Sequence, residues 1–182
     1  MTKAALMPAL AAWCRSHSCP RLLVAALLMS GAGDSFMEHK RLLPGMAMYG
    51  GAHGCYVTLF VRDRTRFKWP AAAAYGAAGA CIMRFLWPGL GPLRPPVAGY
   101  ASLLTATAIS AGWYDRRSAL GGALFLVSDT LIGTQLAGHD FPTRAALVGL
   151  TYTTGQYNLA AGVVTRAGKL RRQIRPGGAA GT

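Results

Sequence analysis

Seven apolar stretches, separated by short polar loops, dominate the sequence. A helix needs about 20 apolar residues to cross a bilayer, and all the stretches except the shorter first one come close to that length. They cover residues 3–14, 20–37, 42–61, 69–87, 96–114, 118–138 and 143–165. The pattern predicts an all-α protein, a polytopic bundle of about seven transmembrane helices.

The amino-acid composition agrees with this prediction. Apolar residues make up 52% of the 182 residues and charged residues 14%, against about 25% charged residues in soluble domains. The formal charge of +13 suggests nucleic-acid binding at first sight. However, the Lys and Arg residues cluster in the loops, as they do in membrane proteins. We therefore expect membrane lipid, and no nucleic acid, as the partner. The four cysteines form no CxxC pair, and we expect no metal and no cofactor.

The basic residues are distributed unequally between the two ends of the predicted helices. Most lie in the loops after the first, third and fifth stretches and in the tail "RAGKLRRQIRPGGAAGT". By the positive-inside rule this end faces the cytoplasm, which predicts a multi-pass protein of the cell (inner) membrane with a cytoplasmic C-terminus. We divide the chain into a transmembrane helical domain, 1–166, and a basic, Gly-rich tail, 167–182. An odd number of helices leaves the N-terminus outside, so we expect one helix to be missing at the start.

Two carboxyl groups occur inside the apolar stretches. Asp34 lies in "LLMSGAGDSF" and Asp129 in "FLVSDTLIG", whereas the other acidic residues lie in loops. An ionisable group at membrane depth is costly unless it is paired or hydrated, and it marks a functional site by default. The structural alternative is a buried carboxyl that joins helices. Two such groups in one small protein favour a shared polar pocket, and we predict Asp34 and Asp129 as a catalytic pair.

Further polar side chains lie in the same predicted helices. Tyr49, His53 and Tyr56 are spaced by four and three residues, so they share one helix face. A histidine in such a helix can equally serve as a helix-to-helix hydrogen bond. We predict that the lining of a substrate pocket comprises Ser30, Tyr49, His53, Tyr56, Ser128, Tyr152 and Gln156.

Several motifs occur in an order that resembles a known family. "TKAALMP" is followed by "SGAGD", and then by "GMAMYGGAHGCY", "GGALFLVSD" and "YTTGQ". This ordered set resembles the YhhN family of multi-pass membrane proteins, whose animal members are lysoplasmalogenases. The resemblance implies an eight-helix bundle that here lacks its first helix. It also implies that Lys3, in the first motif, helps to bind the substrate phosphate near the membrane surface.

The resemblance implies hydrolysis of the vinyl ether bond of a 1-alkenyl lysophospholipid, which yields a fatty aldehyde and a glycerophospho head group. The reaction needs one acid to protonate the β-carbon and one carboxylate to steady the cation and activate water, as in glycoside hydrolysis. Two aspartates in a site of low dielectric can divide these roles by sharing one proton. We therefore expect a lysoplasmalogenase-like ether hydrolase in which Asp34 and Asp129 perform the chemistry.

Two other classes of protein are compatible with the same residues. Buried acids, a histidine and Gly-rich helices also suit a small proton-coupled transporter. A membrane scaffold without catalysis is the third interpretation. A hydrolase releases product without a gradient, whereas a carrier acts only across a sealed bilayer.

Overall fold

The computed structural model describes residues 3–17 and 19–174, and every regular element in them is helical. This confirms the predicted all-α class. Seven α-helices follow one another along the chain: α1 Lys3–Ser16, α2 Arg21–Glu38, α3 Leu42–Arg62, α4 Trp69–Leu86, α5 Arg94–Tyr114, α6 Arg116–Leu136 and α7 Arg144–Ile174.

Local signals explain where these helices begin. Pro70 is the second residue of α4, a position at which proline costs no helical hydrogen bond. Asp115 caps α6, because its Oδ1 accepts hydrogen bonds from the backbone N–H groups of Arg117 at 2.6 Å and Ser118 at 3.0 Å. Such a side-chain cap stabilises a helix by about 1 kcal/mol.

Two segments differ from the sequence prediction. Residues Trp87–Leu93, of which 88–93 were expected as a loop, form a 3-10 helix that leads directly into α5. Gly91 has a φ of 47° there, a conformation that favours glycine, and it kinks the chain between two prolines. The last helix, expected to end at residue 165, continues to Ile174. Lys, Arg, Leu and Gln are good helix formers, and basic side chains are favourable at a helix C-terminus. The predicted boundary at residue 166 therefore falls inside a continuous helix.

Six of the helices form a ring. Going around it, α1 packs on α2, α2 on α3, α3 on α5, α5 on α6 and α6 on α7, and α7 closes the ring against α1. Helix α4 lies outside and packs mainly on α5. The main apolar core fills the ring and includes Leu27, Tyr56, Phe60, Phe125 and Leu159, each at most 1% exposed.

Glycines bring α6 and α7 into close contact. A Cβ atom built on Gly121 would lie 2.6 Å from the Leu159 nitrogen and 2.8 Å from the Gly155 oxygen. Real Cβ atoms do not approach backbone atoms so closely, so any side chain at this position would separate the two helices. The close approach lets α6 and α7 direct side chains into the same interior space.

One helix of the described segments, α6, is both long enough and apolar enough to cross a membrane by length and composition.

Candidate functional site

A cavity of about 280 Å³ opens at the end of the ring where α2 and α6 finish and α7 begins. Both intrahelical acids, Asp34 and Asp129, line it. The remaining lining residues are Met37, Glu38, Tyr49, Ile132, Gln135, Arg144, Ala145, Val148 and Tyr152.

Asp34 is held by two tyrosines from different helices. Its Oδ1 accepts a hydrogen bond from the Tyr49 hydroxyl at 2.5 Å, and its Oδ2 accepts one from the Tyr152 hydroxyl at 2.9 Å. The carboxyl is 6% exposed. Gly33 makes room for this arrangement, because a Cβ there would lie 3.0 Å from the Tyr49 ring. Two donated O–H groups stabilise the carboxylate form of Asp34.

Asp129 heads a chain of hydrogen bonds that runs into the ring. Its Oδ2 is hydrogen-bonded to the Tyr100 hydroxyl. The same hydroxyl lies 3.2 Å from Nε2 of His53, and Nδ1 of His53 lies 3.0 Å from Oγ1 of Thr107. The Thr107 hydroxyl donates in turn to the Leu103 carbonyl at 3.0 Å.

The donors and acceptors of this chain limit the protonation states that Asp129 and His53 can adopt. Since the Thr107 hydroxyl donates to a carbonyl, Nδ1 of His53 must donate to Thr107. In the first arrangement, Nε2 accepts from the Tyr100 hydroxyl, and a protonated Asp129 donates to the Tyr100 oxygen. In the second, Nε2 carries a proton and donates to Tyr100, while the Tyr100 hydroxyl donates to an ionised Asp129. Both arrangements hold one proton more than an ionised Asp129 with a neutral His53. With either arrangement the chain can hold one transferable proton between Asp129 and His53.

A second polar cluster lies in the interior of the ring and is fully buried. The Tyr56 hydroxyl donates to Oε1 of Gln156 at 2.7 Å, and Nε2 of Gln156 lies 3.2 Å from the Ser30 hydroxyl oxygen. Ser30, Tyr56 and Gln156 are all 0% exposed. The cluster ties α2, α3 and α7 together. None of its members lines the cavity.

The structure distributes the predicted lining residues over three places. Tyr49 and Tyr152 contact Asp34, while His53 is linked to Asp129 through Tyr100. Ser30, Tyr56 and Gln156 support the site from the interior. Ser128 is buried and donates to the Val148 carbonyl of α7 at 3.4 Å, and it does not line the cavity. Lys3 begins α1, but its side chain lies outside the described residues.

Sequence reasoning missed several residues that the structure brings to the site. Tyr100 and Thr107 on α5 connect Asp129 to His53, and Arg144 lines the cavity at the start of α7. A signal for the first two was present, since residues seven apart share a helix face. Glu38 and Gln135 also line the cavity but stand at helix ends, where spacing carries no information about direction.

A smaller, apolar cavity of about 60 Å³ adjoins the first one. The two cavities share Met37, Tyr49, Asp129 and Ile132. The smaller one is otherwise lined by Leu42, Met46, Val97, Tyr100, Gly133 and Leu136. Asp129 and Tyr49 thus stand at the junction between the cavity that contains both carboxyl groups and a smaller, more apolar cavity.

The fold and site together define a class of protein: a helical bundle with two carboxyl groups in one interior cavity. The family model of the YhhN family matches residues 1–163, and the chain belongs to that family. The family is associated with membranes and with hydrolase activity. No curated protein and no solved structure matches the chain.

Proposed function

We propose that this protein is a membrane-embedded hydrolase that cleaves the vinyl ether bond of 1-alkenyl lysophospholipids. The products are a fatty aldehyde and a glycerophospho head group. The observation that supports this proposal best is the pairing, in one cavity, of a carboxyl on a proton-storing chain with a carboxyl that accepts two tyrosine hydroxyls. The family match supports the same reaction class.

The first chemical step is protonation of carbon. Asp129 transfers its proton to the β-carbon of the vinyl ether, and the C=C electron pair forms the new C–H bond. The adjacent carbon becomes an oxocarbenium ion, which the Asp34 carboxylate stabilises electrostatically. The Tyr100 hydroxyl then donates a hydrogen bond to the ionised Asp129.

The second step adds water. A water molecule attacks the oxocarbenium carbon while Asp34 accepts one of its protons, and a hemiacetal results. The hemiacetal collapses when its C–O bond to glycerol breaks. The leaving oxygen takes the proton from Asp34, and the hemiacetal hydroxyl returns its proton to Asp129. One water is consumed, and both carboxyls regain their starting states. A positioned acid or base of this kind contributes about 10²- to 10⁴-fold to the rate.

The adjoining cavities support an amphiphilic substrate. The larger cavity, with Arg144 and Glu38 in its lining, suits a phospho head group, and the first part of an alkenyl chain enters the smaller apolar cavity near Met46 and Val97. The bond between the two parts then lies at Asp129. A lysolipid with one chain suits this arrangement.

The outer surface of the bundle supports a multi-pass membrane location. Large apolar side chains point outward from several helices, among them Leu28, Leu120 and Leu150 at 51%, 52% and 65% exposed. Trp69 and Trp87, also exposed at 71% and 44%, lie at opposite ends of α4. Apolar surface bounded by aromatic residues is typical of proteins in lipid. The distribution of basic residues supports a cytoplasmic C-terminus, with the cavity at the opposite end of the bundle.

The test is aldehyde release by the purified protein in detergent. Asp34→Asn and Asp129→Asn should each lower turnover of a 1-alkenyl lysophospholipid by at least about a hundredfold. Tyr100→Phe, which interrupts the proton chain, should lower the rate less, because Asp129 itself remains. Asp63→Asn is the matched control, since Asp63 is a loop carboxylate paired with Arg62 at 2.9 Å. Full activity in either site variant would remove that aspartate from the mechanism.

A proton-coupled carrier is the second candidate. The chain from Asp129 to Thr107 favours it, because such a chain also suits a proton path. Reconstitution separates the two functions. A hydrolase forms aldehyde in detergent without a gradient, whereas a carrier requires sealed vesicles and moves protons with its substrate.

A further inference from the structure

Arg144 is the cationic residue in the lining of the larger cavity. It is the first residue of α7, and its side chain is 13% exposed, so most of it is packed into the protein. A guanidinium group in this position is costly to desolvate unless it has partners. It therefore calls for a functional explanation beyond that of a solvated surface charge.

Asp140 holds this guanidinium by one edge only. Nε of Arg144 donates to Oδ1 of Asp140 at 2.6 Å, and the Asp140 side chain is 54% exposed. A guanidinium has five N–H donors. Within the described part of the chain, Nε is the one guanidinium nitrogen of Arg144 that donates to a protein acceptor. The ion pair fixes the orientation of the side chain and leaves its terminal amino groups available at the cavity wall.

The rest of the cavity is arranged to keep an anion near Arg144. Asp34 and Asp129 lie toward the interior, and a second negative charge beside them would be repelled. Glu38, which is exposed at the end of α2, lines the same cavity. An anion at Arg144 and a cation near Glu38 together match a zwitterionic group.

From this arrangement we infer that Arg144 binds the phosphate of a zwitterionic phospholipid head group and thereby sets the position of the chain relative to Asp129. The inference rests on the proposed function for the identity of the ligand class. Arg144 is a specificity-determining residue and takes no part in bond breaking. Planar guanidinium groups bind phosphate in a bidentate manner, which a lysine cannot do.

The experiment measures binding, so that it does not depend on catalysis. The ligands are a saturated 1-O-alkyl glycerophosphoethanolamine, whose ether lacks the double bond needed for cleavage, and the matched 1-O-alkylglycerol without phosphate. Both are titrated into purified protein in detergent, and inorganic phosphate is titrated separately. The variants are Arg144→Gln and Arg144→Lys. Arg41→Gln is the control, because Arg41 is exposed near the same end of the bundle and lies outside the cavity lining.

We expect Arg144→Gln to weaken binding of the phospholipid analogue by at least about tenfold, the usual effect of losing a hydrogen bond to a charged group. Its affinity for the alkylglycerol should stay within about twofold, and Arg144→Lys should be intermediate because it keeps the charge. Arg41→Gln should bind both ligands as wild type does. The retained alkylglycerol affinity also shows that the variant is folded.

Three results would overturn the inference. The first is that Arg144→Gln and wild type bind the phospholipid analogue with equal affinity. The second is that Arg144→Lys loses the same amount of affinity for both ligands. The third is that inorganic phosphate binds as tightly as the analogue. The last result would assign Arg144 to free phosphate instead of a head group. Failure of the proposed hydrolysis has a different signature, because phosphate-selective binding would persist while wild-type protein released no aldehyde.

Discussion

The contact between α6 and α7 permits a sharp test of the fold. Replacing Gly121 with alanine places a Cβ 2.6 Å from the Leu159 nitrogen and 2.8 Å from the Gly155 oxygen. Both obstructing atoms belong to the backbone of α7, so no side-chain rotation can relieve the clash. The helices have to move apart by a few tenths of an ångström or more along their contact.

The magnitude follows from the cost of overpacking. Inserting a methyl group into a tightly packed interior destabilises a protein by about 1–3 kcal/mol. For a chain of this size that loss lowers the midpoint of thermal unfolding by roughly 2–12 °C. Since α6 carries Asp129 and α7 carries Tyr152, separation of the helices should also weaken ligand binding in the cavity.

The assay is thermal unfolding in detergent, followed by circular dichroism. Gly54→Ala is the matched control, because a Cβ at Gly54 meets no atom within 4 Å. That variant should be neutral or up to about 1 kcal/mol more stable, since alanine favours helix. Identical unfolding of Gly121→Ala and wild type would refute the close contact of α6 with α7.

Two further predictions concern the interior and the cavity rim. Gln156→Leu leaves the Tyr56 hydroxyl and the Ser30 hydroxyl without their buried partner. The free energy of unfolding should therefore fall by about 1–3 kcal/mol for each group left unsatisfied. Chemical denaturation measures this loss, with Gln156→Glu as the conservative comparison. The hydrogen bond from Arg144 holds the pKa of Asp140 below its ordinary value. A lowered carboxyl pKa stabilises the fold above the unfolded-state value and loses this effect as the pH falls through the folded-state value. The difference in unfolding midpoint between wild type and Asp140→Asn should therefore be constant from about pH 8 to pH 5, begin to fall near pH 4 and be lost below the folded-state pKa of Asp140. A difference that changed between pH 8 and pH 5 would contradict this pairing.

The helices were predictable because each carries its own signals. Apolar runs, prolines and charged loops placed most bounds within about two residues of those observed. The 3-10 helix was missed because Pro and Gly in "PGLGPL" also favour a loop. Short 3-10 turns often serve as connectors between helices, so the same residues suit either conformation. The continuation of α7 was missed because the basic run was read as a sign of the membrane surface, although lysine and arginine also favour helix.

The meeting of the two acids could be predicted for a simple geometric reason. Asp34 follows the first residue of α2 by thirteen positions, and Asp129 follows the first residue of α6 by thirteen. Both helices run in the same direction, so a rise of about 1.5 Å per residue carries the two carboxyls to a similar depth. The depth of the two carboxyl groups along their helices could therefore be predicted from the sequence. Which helices are neighbours in the ring could not.

The direction in which side chains point was harder to predict. Ser128 precedes Asp129 by one residue, which turns it by about 100° on the helix, and it bonds to α7 instead of lining the cavity. Tyr100 and Arg144 can be recognised as site residues only when the positions of α3, α5 and α7 around the ring are known. The packing order of helices depends on long-range contacts, for which a single sequence contains no periodic signal.

The position of Asp129 where the two cavities meet affects which bond of a bound lipid lies next to its carboxyl group. A site of this shape positions an amphiphilic ligand by the boundary between its polar head group and its apolar chain. Two isomeric lipids of equal mass and charge, with the reactive bond on neighbouring glycerol carbons, would present different atoms to the same carboxyl. The proposed hydrolase is therefore expected to discriminate between positional isomers, independently of how tightly either isomer is held.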